Sequence, residues 1–178
     1  LQNGLMNSKG EFIAIFDADF IPDRNFLTNT IPYFSEENIG LVQTRWGFLN
    51  AENSWLTKAQ QLALDGHFII EQEGRSRSGY FINFNGTAGI WRKSCILDAG
   101  GWEADTLTED LDLSYRAQLK GWKFSYCPDI ITASELPDNL SAVRSQQFRW
   151  IKGGVETSKK LISRLWKSKY PLSVKVFG

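Results

Sequence analysis

Near its start, the chain carries the segment Phe12-Ile13-Ala14-Ile15-Phe16-Asp17-Ala18-Asp19, and this segment predicts the class of fold. A short apolar run of this kind is typical of a strand buried on both faces, as in a parallel sheet. Further candidate strands alternate with candidate helices, and this alternation predicts an α/β fold. The predicted strands are residues 12–16, 39–44, 80–84, 89–92 and 122–126. The predicted helices are residues 25–34, 54–73, 95–99, 109–120, 141–152 and 155–167, with a polar loop at 74–79.

The composition of the 178-residue chain is that of a globular protein, with 42% hydrophobic and 22% charged residues. It excludes a disordered tail, a low-complexity polymer and a grossly basic nucleic-acid binder, so we expect no nucleic-acid partner. The two cysteines, Cys95 and Cys127, do not make a disulfide framework, and the one histidine, His67, cannot build a multi-histidine metal site. Any metal chemistry must therefore use oxygen ligands.

The formal net charge is zero, but the two signs are distributed unevenly. Residues 1–150 contain 13 basic and 19 acidic residues, whereas residues 151–178 contain seven basic residues and one acidic residue. In that basic end, apolar residues fall largely on one face of the predicted helix: Val155, Leu161, Ile162, Leu165 and Trp166. A basic amphipathic helix with tryptophan is typical of a membrane surface, and a helix packed on the domain with solvated lysines is the alternative.

Two carboxylates, Asp17 and Asp19, directly follow the first predicted strand. Ligands of open α/β sheets bind outside the carboxyl ends of the strands. Carboxylates at alternate positions there can share Mg²⁺ or Mn²⁺ and the phosphates that the ion bridges, because these ions prefer hard oxygen ligands. The alternative is a turn with solvated acids, which Pro22 and Asp23 favour.

A second acidic pair, Glu109 and Asp110, lies at the predicted start of a helix. A carboxylate there is well placed to act as a general base that accepts a hydroxyl proton. The alternative is structural. Thr108 is a good N-cap, Thr106 and Glu109 fit a capping box, and acids in the first turn suit the helix dipole.

Three side chains, Gln146, Arg149 and Trp150, share one face of a predicted helix because they stand at positions i, i+3 and i+4. Arginine suits a diphosphate through paired hydrogen bonds, and tryptophan offers a flat apolar surface to a sugar ring. The alternative is a helix packed by Phe148 and Trp150, with Arg149 on the surface.

A fourth segment, Phe84-Asn85-Gly86-Thr87-Ala88-Gly89, places glycines and polar residues at a predicted strand end. Glycines allow close approach of the backbone to a ligand, although a simple tight turn has the same composition. Together the four patterns suggest a nucleotide-sugar site, because glycosyl transfer requires a metal-held diphosphate, a base and an aromatic platform.

In this order, the motifs resemble those of the processive family 2 glycosyltransferases, which include cellulose synthases and mannan or glucomannan synthases. That family has Asp-x-Asp, Thr-Glu-Asp and Gln-x-x-Arg-Trp motifs. Here they are Asp17-Ala18-Asp19, Thr108-Glu109-Asp110 and Gln146-Gln147-Phe148-Arg149-Trp150, and the resemblance covers nearly the whole chain. It implies a GT-A (nucleotide-diphospho-sugar transferase, Rossmann-like) fold that is incomplete on the N-terminal side. Residues 1–152 would be its C-terminal portion, and residues 153–178 an interfacial helix leading towards a membrane segment.

The resemblance also implies a role for each matching residue. Asp17 and Asp19 hold Mg²⁺ or Mn²⁺ with the diphosphate of a UDP- or GDP-hexose donor, while Asp110 is the general base that Glu109 supports. The remaining candidates contact the diphosphate or the polysaccharide acceptor: Gln146, Arg149, Trp150, Asn85, Gly86, Thr87 and, more weakly, Trp46.

The implied activity is inverting, metal-dependent transfer of a hexose from a nucleotide-diphosphate sugar to the growing end of a β-linked polysaccharide. The Asn85 to Gly89 segment favours the mannan, glucomannan and xyloglucan-backbone branch over cellulose. We expect a multi-pass membrane parent protein that contacts lipid, with this domain on the cytoplasmic side. We also expect the 178 residues alone to be inactive or very weakly active. An aspartate-based phosphotransferase and a non-catalytic carbohydrate-binding domain are the alternatives.

Overall fold

The sheet of this protein is mixed, with four strands in the residues that the computed structural model describes, 1–177. The strands are β1 (Phe12–Ile15), β2 (Ile39–Phe48), β3 (Gly89–Arg92) and β4 (Lys123–Ser134), in the spatial order β1-β3-β2-β4. β3 is antiparallel to β1 and to β2, whereas β2 and β4 are parallel. The α/β prediction is confirmed. The prediction of a parallel strand covered on both faces is wrong for β1, because it lies at the edge of the described sheet and only Ile15 in it is fully buried.

The helices are α1 (Gln2–Asn7), α2 (Phe26–Thr30), α3 (Trp55–Asp65), α4 (Glu73–Arg77), α5 (Lys93–Asp98), α6 (Glu109–Leu119), α7 (Leu140–Lys167) and α8 (Leu172–Phe177). A π-helical segment, Gly66–Gln72, joins α3 to α4, and 3₁₀ turns span Ile31–Phe34 and Ala51–Asn53. Ser54 caps α3, and its hydroxyl accepts a hydrogen bond from the Thr57 N–H. The loop predicted at 74–79 is wrong over most of its length, because α4 forms there and Arg77 donates to Glu73 one turn away.

The strand predicted at 80–84 does not form. The backbone of this buried segment bonds to side chains of α6 instead of a neighbouring strand. The Gln118 amide accepts from the Ile82 N–H and donates to the Ile82 C=O, and the Ser114 hydroxyl accepts from the Phe84 N–H. The segment is thereby fixed to the helix that carries the predicted general base.

Strand β4 continues past Pro128, where the predicted strand ends. Its pairing with β2 shifts at this point, so that Thr44 lies opposite Cys127 and Arg45 lies opposite Ile131. A bulge of this kind accommodates proline, which has no N–H to donate to the ladder.

Each face of the sheet supports a hydrophobic core, because successive side chains of a strand point to opposite faces. Leu41 and Trp91 contribute to the core beneath α5 and α6, whereas Val42 and Ile90 contribute to the core beneath α2. All four side chains are inaccessible to solvent. The first core holds α6 against the sheet and so determines where its N-terminus lies.

The two helices predicted at 141–152 and 155–167 are one continuous helix, α7. Its fully buried positions recur every four residues: Gly153, Thr157, Leu161 and Leu165. Gly153 permits a close crossing with the start of α6, since a Cβ there would lie only 2.8 Å from the Thr108 backbone nitrogen. α7 therefore packs directly on the helix that carries the predicted general base.

The apolar face predicted for the C-terminal helix is divided in the structure. Leu161 and Leu165 are buried against the domain, whereas Val155, Ile162 and Trp166 are about half exposed. None of the helices formed by residues 1–177 is both long enough and apolar enough to span a membrane.

Candidate active site

One cleft lies beside the end of β1. It is lined by the loop after β1, the loop before β3, the N-terminus of α6 and the middle of α7, together with the end of β2, the segment that follows β4 and one residue of α3. Ile15 at the end of β1 pairs with Gly89 at the start of β3, and this brings the first two loops together. The cleft has a volume of about 270 Å³. Most of the predicted site residues line it: Asp17, Asp19, Trp46, Asn85, Gly86, Glu109, Asp110, Gln146, Arg149 and Trp150.

The remaining predicted site residue, Thr87, lies beneath the cleft and is 1% exposed. Its hydroxyl oxygen accepts a hydrogen bond of 2.8 Å from the Asp17 N–H. Thr87 therefore holds the loop of the two aspartates in place and does not line the cleft. The buried Gln43 holds the same region, because its amide accepts from the Asn85 N–H and donates to the Thr87 C=O. The sequence analysis missed Gln43, although a polar side chain inside a predicted strand is a detectable signal.

Asp110 lies in the first turn of α6 and faces the cleft. Desolvation is the main cause that raises the pKa of its carboxyl to about 6. The Leu111 N–H acts in the opposite direction, and Glu109 adds to the rise. Gly86 approaches closely, since a Cβ on it would lie 3.3 Å from Asp110 Oδ2, and its φ of +83° suits glycine. A carboxyl with this pKa is mostly ionised at neutral pH and still basic enough to accept a hydroxyl proton.

The side-chain caps of the structural alternative do not form, because no side chain caps the N-terminus of α6. Its other part holds, since Thr108 is the N-cap residue and acids occupy the first turn of the helix. The Thr108 hydroxyl lies 3.2 Å from the Thr157 hydroxyl of α7 instead. The contact ties the two helices together at the cleft.

The cleft is lined by five carboxylates: Asp17, Asp19, Glu109, Asp110 and Glu135. Within residues 1–177, none of them forms an ion pair with a lysine or arginine. Burial, followed by the charges of Asp19 and Glu109, raises the pKa of Asp17. Mutually repelling carboxylates without a cationic partner are suited to a divalent cation, and an all-oxygen set matches Mg²⁺ or Mn²⁺.

The middle of α7 presents Gln146, Arg149 and Trp150 to the cleft, as their spacing predicts. Phe148 is 64% exposed, so the alternative of a helix packed by this residue is wrong. Among the described side chains, Arg149 has no carboxylate partner within ion-pair distance. A positive charge without a partner, in a cleft lined by five carboxylates, is suited to an anionic ligand bound between them.

A second cavity, of about 560 Å³, adjoins the cleft and lies between α3 and α7. Trp46, Asn85, Asp110 and Trp150 line both spaces. The walls of the second cavity are largely apolar, with contributions from Leu56, Ala59, Ala63, Leu64 and Val143. His67, which the sequence analysis did not assign to the site, also lines this cavity.

A second acidic cluster consists of Glu103, Asp105 and Asp112, whose carboxylates are close enough together to share an ion. The Lys160 Nζ lies 2.5, 2.8 and 2.9 Å from oxygens of these three carboxylates. Burial lowers the pKa of Lys160, but its hydrogen bonds to the three carboxylates raise it above the usual value. Arg116 also donates to Asp112, over 2.7 Å. The cluster therefore has its cations within the chain, and it joins α7 to α6.

Comparison with known proteins places this cleft in a family. A family model described as "Glycosyltransferase like family 2" matches residues 1–153. A relative from Cyamopsis tetragonoloba, "Glucomannan 4-beta-mannosyltransferase 1", is 49% identical over 156 residues, which are 87% of this chain and 30% of the relative. A second relative, "Glucomannan 4-beta-mannosyltransferase 2" from Arabidopsis thaliana, is 46% identical over 160 residues. The chain spans about 30% of the length of each of these curated relatives.

Two solved structures share the fold. The mannosyltransferase PcManGT from Pyrobaculum calidifontis, in complex with GDP-Man and Mn²⁺, has a TM-score of 0.75 at 18% identity, over 99% of this chain and 46% of that chain. TarS residues 1–349 from S. aureus, in complex with UDP-GlcNAc, has a TM-score of 0.63 at 12% identity, over 98% of this chain and 48% of that chain. The predicted GT-A fold is confirmed.

Proposed function

The chain belongs to glycosyltransferase family 2, and on this premise we propose that it forms the acceptor-side part of a site for inverting, metal-dependent hexose transfer. The donor is a nucleotide-diphosphate sugar, and the acceptor is the growing end of a β-linked polysaccharide. One observation carries the proposal. Three kinds of group meet in one cleft. They are the desolvated carboxylate of Asp110 with a pKa of about 6, acids without cationic partners among the described residues, and the pair Arg149 and Trp150.

The donor diphosphate is bound between Asp17 and Asp19 on one side and Arg149 on the other. The two aspartates would hold Mg²⁺ or Mn²⁺, and the ion would supply positive charge that neutralises the diphosphate. Arg149 donates hydrogen bonds to the diphosphate oxygens and stabilises the negative charge that develops as the sugar leaves. Thr87 fixes the backbone of Asp17 and thereby the position of this carboxylate pair.

Asp110 is the general base. Its carboxylate accepts the proton of the acceptor hydroxyl as that oxygen attacks the anomeric carbon from the face opposite the diphosphate, and this geometry inverts the anomeric centre. Glu109 is the neighbour that helps keep the pKa of Asp110 high. Gly86 leaves room for the hydroxyl, because its lack of a side chain opens the space next to Asp110 Oδ2.

The second cavity is proposed to hold the acceptor chain. Trp150 and Trp46 line the junction between the two spaces, where a sugar ring would stack on an indole. The high identity to two glucomannan 4-beta-mannosyltransferases supports a mannosyl donor and a β-1,4-linked acceptor.

We further propose that the complete protein acts at a membrane, with this domain on the cytoplasmic side. The half-exposed Val155, Ile162 and Trp166 of α7 lie within the basic end of the chain, as in a helix that rests on anionic lipid. Co-sedimentation of the protein with anionic but not with neutral vesicles tests this part of the proposal. Equal binding to both would contradict it.

The decisive experiment is Asp110→Asn in the complete protein, because asparagine keeps the shape and cannot accept the proton. We expect turnover to fall by a factor of about 10² to 10⁴ while donor binding is retained. Asp129→Asn is the matched control, since Asp129 is exposed on the bulge of β4. Unchanged turnover in Asp110→Asn would contradict the proposal and favour a non-catalytic carbohydrate-binding domain. A phosphoaspartate trapped at Asp17 would favour a phosphotransferase.

A further inference from the structure

His67 lies beside the acceptor half of the site, and the mechanism above gives it no role. It stands in the π-helical segment between α3 and α4, and such segments are frequent at functional sites. Its Nε2 lies 3.1 Å from Asn85 Oδ1, and its Nδ1 lies 3.0 Å from Glu71 Oε2. The imidazole ring therefore links a surface carboxylate to an amide that lines the cleft.

Hydrogen-bond chemistry determines where the protons of this group lie. The Glu71 carboxylate only accepts, so Nδ1 carries a hydrogen. Asn85 Oδ1 also only accepts, so the contact at Nε2 is satisfied when that nitrogen carries a hydrogen. When Nε2 loses its proton, it becomes an acceptor. The Asn85 amide can satisfy it only by rotating so that Nδ2 faces the ring.

The rotation changes what the cleft offers to a ligand. Asn85 Nδ2 is buried and has no hydrogen-bond partner among the described residues. The backbone of Asn85 is held by Gln43, which accepts its N–H, so the side-chain torsions are the remaining freedom. A buried NH₂ group without a partner is costly, and a sugar oxygen that accepts from it would remove this cost.

Few charges surround the ring. Glu71 faces Nδ1 and is itself paired with Arg75 at 3.0 Å. Among the described residues that line the second cavity, Asp110 is the other ionisable side chain, and it lies beyond Gly86. The protonation of His67 is therefore coupled mainly to Glu71 on its own helix and to the amide of Asn85.

We propose that His67, held by Glu71, is a positioning residue that sets which end of the Asn85 amide faces the acceptor sugar. Protonated His67 leaves the NH₂ group free to donate to a sugar oxygen. Neutral His67 leaves the C=O group free to accept from a sugar hydroxyl. The inference rests on the proposed function and extends it to acceptor recognition.

The test is acceptor kinetics in the complete protein, with GDP-mannose as donor and β-1,4-mannotetraose as acceptor. His67→Gln keeps a donor at the Nε2 position that does not titrate, whereas His67→Leu removes it. We expect His67→Leu to raise the acceptor KM about tenfold with the donor KM unchanged, and His67→Gln to restore most of the loss. The acceptor KM should depend on pH more strongly in the wild type than in His67→Gln, because glutamine does not titrate.

A matched pair of variants separates positioning from helix stability. Glu71→Gln and Glu73→Gln each remove an ion pair with an arginine four residues later, but only Glu71 contacts His67. We expect Glu71→Gln alone to change the pH dependence of the acceptor KM, because only Glu71 contacts the His67 ring.

Three results would overturn the proposal: an unchanged acceptor KM in His67→Leu, equal changes in donor and acceptor KM, or the same pH profile in Glu71→Gln as in wild type. If His67→Leu does not fold, the pH profiles of His67→Gln and Glu71→Gln decide the matter. A complete wild-type protein that transfers no hexose to any acceptor would instead contradict the proposed function itself.

Discussion

Asp110 and Asp112 are two residues apart on α6, yet their carboxylates lie in opposite environments. Asp110 faces the cleft, without a cationic partner among the described residues, and burial raises its pKa to about 6. Asp112 is inaccessible to solvent and contacts both Lys160 and Arg116. A step of two residues turns a helix by more than half a circle, so the two side chains point to opposite sides.

These two residues belong to two acidic clusters with opposite effects on stability. One cluster stabilises the fold, and the other destabilises it. Glu103, Asp105 and Asp112 are compensated within the chain by Lys160, and Lys160 lowers the pKa of Glu103 through its hydrogen bond. The cleft cluster lacks such compensation, so its carboxylates repel one another. Groups arranged at a cost to stability are typical of sites whose missing charge is supplied by ligands.

Lys160→Met tests the compensated cluster and should have the largest effect. It leaves Asp112 buried with one cation fewer, so we expect a loss of about 3 kcal/mol in the free energy of unfolding. Lys159→Met is the matched control on the exposed side of α7 and should cost less than about 0.5 kcal/mol. Denaturant titration of both variants measures the difference. Equal losses would show that the Lys160 contacts do not stabilise the fold.

The double variant Asp17→Asn with Asp19→Asn tests the cleft cluster. Turnover should fall at least about a hundredfold, because the charges that hold the cation and the diphosphate are gone. Mn²⁺ binding, followed by electron paramagnetic resonance, should weaken in parallel, while the free energy of unfolding stays unchanged or rises. Asp23→Asn is the control in the same loop. A variant that keeps its Mn²⁺ affinity would place the cation elsewhere.

Asp110→Asn should also stabilise the protein. The folded pKa of about 6 is above the unfolded value, so ionisation of Asp110 opposes folding as the pH rises through 6. We expect a gain of about 2 kcal/mol near neutral pH that disappears below about pH 4, where both states are protonated. Unfolding curves at several pH values measure it. Turnover of the wild-type protein should also fall below about pH 6, because protonated Asp110 cannot accept the hydroxyl proton. If Asp110→Asn left the free energy of unfolding unchanged at every pH, desolvation of this carboxyl would be contradicted.

The sequence analysis predicted which motifs lie together more completely than it predicted the bounds of the helices and strands. Alternation of strands and helices correctly gave the α/β class, and helical spacing correctly put Gln146, Arg149 and Trp150 on one face. It did not predict that the segment at 80–84 bonds to Gln118 of α6, because a backbone bonded to side chains has no periodic signature. It also divided α7 into two helices at Gly153. At this position α7 crosses close to Thr108, and only a residue without a side chain fits there.

The amino-acid sequence by itself determined the order of the motifs, the oxygen-only chemistry of a cation site and the faces of the helices. These features depend on residue type and on the spacing of residues within one helix or one strand. The tertiary structure alone decided that β3 lies between β1 and β2, that Asp112 receives Lys160, and that His67 meets Asn85. These contacts join residues that are distant in the chain: His67 and Asn85 are 18 positions apart, and the other pairs are about 50 positions or more apart. The packing of the two cores against the sheet determines which of these residues meet.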